Sequence, residues 1–138
     1  MTQEQLSLLP IRVYYEDTDA GGVVFYGNYL KFFERGRTEW LRRLGVNQSE
    51  LVTQQQRMFV VKTVEIQYRK PARLDDLLTV HSKITRLGYA SINFQQSATC
   101  DGELLCESTI KVCSVDTNTL RPAALPRELR NLLEKVQE

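Results

Sequence analysis

Four long stretches between residues 58 and 115 alternate apolar and polar side chains, the period of a half-buried strand. Within residues 58–68, Val60, Val64, Ile66 and Tyr68 share one face; within 77–87, Leu78, Val80, Ser82 and Ile84 do so. Residues 90–100 group Ile92, Phe94, Ala98 and Cys100, and residues 103–115 group Leu104, Cys106, Ile110 and Val112. Asp101-Gly102 between the last two is a hairpin signal, and residues 71–76 turn the chain before Leu77. Residues 11–16 alternate as well and predict a short first strand, which the turn-rich stretch 17–22 ends. One apolar and one polar face per strand is the antiparallel pattern.

From Asn28 to Leu44 the period becomes helical. Tyr29, Phe33, Gly36/Arg37, Trp40 and Leu44 form the stripe, widened by Leu30 and Leu41, with Asn28 as N-cap and Gly45 as terminator. Gly36 inside this helix costs about 1 kcal/mol relative to Ala, so close packing against a sheet is its expected reason. A short polar helix is predicted over 48–56. Pro126 begins a last amphipathic helix with Leu129, Leu132, Leu133 and Val136 on one side. Mixed charge makes that face a packing surface, on this sheet or a sister subunit, rather than a membrane anchor. Five strands and one long apolar helix imply an α+β fold, a curved antiparallel sheet around the helix, in a single domain spanning 1–138.

Composition removes several function classes. Eighteen basic and seventeen acidic residues leave a formal charge of +1, which gives no electrostatic case for nucleic acid. No stretch approaches the roughly 18 apolar residues of a membrane span, and the first ten residues lack a secretory signal's pattern. Cys100, Cys106 and Cys113 are odd in number and form no C-x-x-C pair, so they read as reduced, buried thiols of a cytoplasmic protein. Ligands at zinc-like spacing are lacking, and no metal or cofactor is expected. The one histidine, His81, alternates with Thr79 and Lys83 on a polar strand face, which argues against a Ser-His-Asp triad.

The chemistry concentrates in residues 14–29. Asp17 and Asp19 follow the first strand, Gly21-Gly22 come next, and an aromatic run leads into the long helix. A carboxylate beside the unpaired N–H groups of a helix start suits acyl chemistry: the helix end polarises a carbonyl while the carboxylate attacks it or activates water. Asp19 is the candidate, the competing role being an Asx-turn before the glycines. Asp17 fits a structural role, bonding turn amides. Gly22 allows close approach of a ligand. Tyr26 offers a hydroxyl, a backbone N–H for an oxyanion, or an aromatic anchor in the core. Lys70, Arg73 and Arg86, at strand ends, are phosphate contacts or solvated surface charge.

The run Tyr15-Glu16-Asp17-Thr18-Asp19-Ala20-Gly21-Gly22-Val23-Val24, then Asn28-Tyr29 and Arg37-Thr38-Glu39-Trp40-Leu41-Arg42, closely resembles the hot-dog-fold thioesterases. The nearest branch is the Tol–Pal-associated acyl-CoA thioesterases of the hydroxybenzoyl-coenzyme A thioesterase family, which Pro71-Ala72-Arg73-Leu74-Asp75-Asp76 and Arg121-Pro122-Ala123-Ala124-Leu125-Pro126 also resemble. The resemblance implies catalysis by Asp19, an oxyanion amide at Tyr26, and substrate contacts at Gly22, Val24 and Arg86. Tyr26 departs from members that carry histidine there. It further implies a homodimer of sheets joined edge to edge or a homotetramer, sites between subunits, and acyl-CoA as substrate, with acyl carrier protein as another thioester carrier. A non-catalytic scaffold holding acyl carriers or phospholipid-synthesis enzymes is the alternative function.

Overall fold

The alternating stretches become one antiparallel sheet. The computed structural model describes residues 3–137. Its elements are α1 (Gln3–Leu6), β1 (Leu8–Arg12), a 3-10 turn (Tyr15–Asp17), α2 (Asn28–Arg43), α3 (Gln48–Gln55), β2 (Arg57–Tyr68), β3 (Leu77–Leu87), β4 (Ser91–Cys100), β5 (Glu103–Asp116) and α4 (Arg127–Glu134). The five strands lie in the order β1-β3-β4-β5-β2, and α2 packs across one face as the expected hot-dog fold requires. Leu78, Val80 and Ile84 of β3, Ile92, Phe94 and Ala98 of β4, and Ile110 and Val112 of β5 bury themselves against Tyr29, Phe32, Phe33, Trp40 and Leu41 of α2 in one apolar cluster. At the β4–β5 turn, Asp101 and Gly102 both take positive φ, 50° and 80°, the two-residue hairpin geometry that their pairing in sequence predicts.

The first strand is displaced from its expected place. It runs over Leu8–Arg12 instead of 11–16, with Pro10 tolerated because β1 is an edge strand. Val13 still exchanges backbone bonds with Asp75 and Asp76, but β3 begins only at Leu77. Beyond Val13 no strand remains to pair with, and the chain tightens into the 3-10 turn.

The helix stripe is rotated slightly from the expected one. Phe32 is buried and Leu30 is exposed, because residues 29, 32–33, 36–37 and 40–41 are the ones a 100° step brings over the sheet. Gly27, not Asn28, occupies the N-cap position. At the other end Gly45 takes φ +98°, its N–H bonds Arg42 O, and the Val46 N–H bonds Leu41 O, a Schellman closure. A side chain at Gly36 would meet Val80 Cγ1 at 2.7 Å, so the mid-helix glycine marks where α2 sits closest to the sheet.

Bulges correct two faces. Lys62 is an extra residue in β2, so Val61, paired with Val112, joins Val64, Ile66 and Tyr68 on the helix-facing side in place of Val60. In β5 the register steps from Ala98↔Cys106 to Thr99↔Leu104, which buries Leu105 and leaves Leu104 half-buried. Gln96, Ser82 and Ser108 are buried polar residues on these otherwise apolar faces. Leu129 and Leu133 of α4 are buried and Leu132 and Val136 pack against the same core, so this helix covers its own sheet.

Gly36→Ala tests the seating of α2. On an exposed helix the change would stabilise by about 1 kcal/mol. Here the stiff Val80 has to move, and urea denaturation is expected to show a net loss of about 1–3 kcal/mol.

Candidate active site

Residues 18–24 form a small hairpin between the 3-10 turn and α2. Thr18 bridges Val24, the Asp19 N–H bonds Val23 O at 2.9 Å, and the Gly22 N–H bonds Asp19 O at 3.0 Å. Gly22 sits at φ +79°, a region a side chain would strain. Asp19 is exposed at the tip. Its Oδ1 accepts the Gly21 N–H at 2.9 Å, so the Asx-turn is real; Oδ2 has no hydrogen bond among the described residues. One oxygen thus tethers the carboxylate to its own turn, on a residue that is exposed.

Asp17 ties this hairpin to both neighbouring elements. It is buried, and its Oδ2 accepts the Tyr14 N–H at 2.8 Å. Its carbonyl accepts two donors, the Phe25 N–H at 3.0 Å and Asn28 Nδ2 at 2.8 Å. Asn28 therefore joins the turn to the first residue of α2, where its sequence position suggested a cap. The Val24 N–H bonds Ala72 O at 2.8 Å and Val23 bridges Arg73, which holds the hairpin against the 71–76 turn.

At the start of α2 the aromatic run opens a hollow of about 240 Å³, lined by Val24, Tyr26, Tyr29, Tyr68, Arg69, Lys70 and Pro71. Val24 is otherwise buried and Tyr26 is 63% exposed, so the tyrosine is no core anchor. Its ring stands edge-on to Tyr68 at 5.8 Å, and the Tyr68 hydroxyl donates to Tyr26 O at 3.2 Å. Tyr29 is buried beside Tyr68, and its hydroxyl accepts the Ala72 N–H at 3.3 Å. Burial raises both the Tyr29 and Tyr68 phenols, so each stays a neutral donor or acceptor. The N–H groups of Tyr26 and Gly27 have no hydrogen-bond acceptor among the described residues. Unpaired amides at the positive end of a sixteen-residue helix, next to a hollow, can hold a carbonyl oxygen as it gains negative charge.

The remaining candidates separate. Arg86 pairs with Asn93, in a row that runs through Lys111 to Thr63, whereas the hollow lies at the Tyr68–Cys106–Ala98–Val80 end. Five strand positions, Asn93 to Ala98 in β4 and Lys111 to Cys106 in β5, put Arg86 about 17 Å from that row within one chain. Lys70 lines the hollow and bridges Glu103 at 3.1 Å; Arg73 is exposed on the adjoining turn. His81 is half-buried, with Nε2 3.2 Å from Thr99 Oγ1, and no carboxylate bonds its ring to complete a triad among the described residues. No metal-binding cluster of His, Cys, Asp or Glu occurs among the described residues. A wider hollow of about 430 Å³ lies between α3 and α4, but no residue of 15–29 lines it. Tyr68 and Asn28 were not read from sequence as site residues: one closes an alternating run, and the other mimics a cap.

The pattern of the thioesterase superfamily matches residues 21–110. The chain is 48% identical to the acyl-CoA thioesterase YbgC of Haemophilus influenzae over 121 residues, 88% of this chain and 89% of that one. It is 42% identical to the acyl-CoA thioester hydrolase YbgC of Escherichia coli O157:H7, covering 87% of this chain and 90% of that one. A probable thioesterase from Bartonella henselae superposes with a TM-score of 0.82 at 35% identity, over 86% of this chain and 98% of its own.

The cysteines stand outside this chemistry. All three are unpaired, and burial pushes the Cys106 thiol up to about 12. At pH 8 a thiol reagent is expected to modify the half-buried Cys100 first and to leave Cys106 unmodified until the chain unfolds, as mass spectrometry of peptides will show. Between the ordinary 9.0 and about 12 this thiol holds its proton in the folded state and loses it in the unfolded state, so stability falls as pH rises through that window.

Proposed function

The chain belongs to the thioesterase superfamily and hydrolyses acyl-CoA thioesters, and on that footing we propose that the carboxylate of Asp19 and the backbone amide of Tyr26 form its catalytic centre. What supports this is an exposed carboxylate with one tethered oxygen and, seven residues further along the chain, backbone amides at the start of α2 that have no acceptor among the described residues. The thioester oxygen accepts from the Tyr26 amide, which any side chain at that position leaves available. Asp19 then acts in one of two ways. Its free oxygen attacks the carbonyl carbon, the carbon–sulfur bond breaks, coenzyme A leaves as thiolate, and water hydrolyses the mixed anhydride. Alternatively the carboxylate takes a proton from water, and that water attacks directly. Gly22 keeps the tip bare for the substrate, and Val24 forms the apolar floor of the hollow.

The site is open on one side in a single chain, and a second copy supplies the closure in this reading. β2 is an edge strand with its outer backbone row unpaired. Its helix-facing residues Val61, Val64 and Tyr68 are exposed, Val61 by 50%. Antiparallel pairing of β2 with its counterpart joins two sheets, covers this apolar strip, and brings the Phe59 end of one strand to the Tyr68 end of the other. Any contact of Arg86 with substrate then comes from another subunit. Three unpaired cysteines and a coenzyme A substrate support a cytoplasmic location. Acyl carrier protein presents the same pantetheine arm, and kcat/KM on the two carriers decides between them.

Asp19→Asn keeps the tether to Gly21 and removes the charge. Thiol release from acyl-CoA is expected to fall about 10²–10⁴-fold in kcat, with KM changing little. Val64→Lys places a charge on the proposed contact strip. Analytical ultracentrifugation is expected to show a monomer, and the monomer is expected to be inactive; an active monomer contradicts the shared site.

A further inference from the structure

Beneath α2, three residues out of keeping with their surroundings answer one another. Gln96 is 1% exposed in the middle of β4, Arg37 is 8% exposed on the buried stripe of α2, and Gly36 lies between them. The Gln96 carboxamide is fully engaged: Nε2 donates to Phe33 O and to Ser82 Oγ, both at 2.9 Å, and Oε1 accepts Arg37 Nη1 at 3.0 Å. The Arg37 guanidinium also lies 5.9 Å above the Phe94 ring, and no carboxylate bridges it among the described residues. A Cβ on Gly36 would come within 3.1 Å of Gln96 Nε2. The glycine is what lets the carboxamide reach the helix backbone.

We propose that Gln96, acting through Phe33 O and Arg37, is a positioning residue for thioester hydrolysis, fixing the rotation and axial register of α2 and so the place of its leading amides. Apolar side chains of merely suitable size fill a core without fixing one arrangement. A directional bond to one particular carbonyl removes that freedom. Phe33 lies seven residues, about 10 Å of helix, from Tyr26. A slide of 1 Å at that distance suffices to misplace an oxyanion donor, at a cost of about 10²-fold in rate. The inference rests on the reading of the Tyr26 amide as that donor.

Gln96→Glu separates positioning from folding. The carboxylate keeps Arg37 paired but offers Phe33 O and Ser82 no donor, so the helix loses its register bond and not its buried cation's partner. The expected result is kcat on acyl-CoA lowered 10–100-fold, KM within twofold and a thermal midpoint within a few degrees of wild type. The double variant Arg37→Met/Gln96→Met removes both polar groups, fills the same space and carries the same expectation if the single variant does not fold. Wild-type kcat in a folded variant, with Asp19→Asn inactive, overturns the positioning role alone. Full activity in Asp19→Asn overturns the catalytic reading and this inference with it.

Discussion

Everything in this molecule depends on how close one helix lies to the sheet. A β-carbon at Gly36 would stand 2.7 Å from Val80 Cγ1, 3.1 Å from Gln96 Nε2 and 3.3 Å from Ser82 Oγ. That approach buries Phe32, Phe33, Trp40 and Leu41 in the core and leaves no room for a β-carbon. It also decides where the helix begins. With its middle pinned, the leading turn emerges beside the end of β2, where Tyr68 and Ala72 hold Tyr26 and Tyr29. The amides at that turn owe their freedom to the same constraint, because the chain entering from Val24 is tied elsewhere, to Ala72 O.

The candidate site is assembled from short-range bonds around one buried carboxylate, that of Asp17. Asp19 turns on its own glycine pair, Asp17 anchors the turn, and Asn28 clips the turn to the helix. Such a device suits a reaction in which charge moves from a nucleophile to a carbonyl oxygen and then to a departing thiolate. Positive potential from the helix end is needed where the oxygen sits, and a bare carboxylate where the carbon sits. With a formal charge of only +1, the protein has no strong overall field to draw in an anionic coenzyme. Local cations such as Lys70 and Arg69, each already beside a glutamate, are the nearest to the hollow.

Much of this was legible in the chain, for reasons that can be named. β4, and β3 as far as Ile84, follow strict alternation, and their buried faces match the pattern nearly residue for residue; the bulge at Thr85 comes only after the last buried residue of β3. β2 and β5 do not, because a bulge at Lys62 and another at Leu105 move side chains to the opposite face without any glycine or proline to announce it. The first strand was misplaced because its length is set by where β3 starts, a tertiary fact absent from residues 11–16 themselves. Asn28 looked like a cap because caps and long-range clips use the same side chain. The polar contact beneath α2 has no periodic signal, because Gln96 interrupts an apolar face by a single residue. Asp19 and its glycines are legible as a turn from the chemistry of the segment and as a candidate site from family resemblance; a second subunit's part is an expectation that rests on resemblance alone.

The most direct test of the central claim is a crystal structure with a ketone analogue of acyl-CoA, in which carbon replaces the thioester sulfur so that no thiolate can leave. The account predicts the ketone oxygen about 2.7–3.1 Å from the Tyr26 amide nitrogen, with an Asp19 carboxylate oxygen facing the carbonyl carbon at about 3–3.5 Å. A bound analogue whose carbonyl lies away from the leading turn of α2, with Asp19 still facing only solvent, would contradict it.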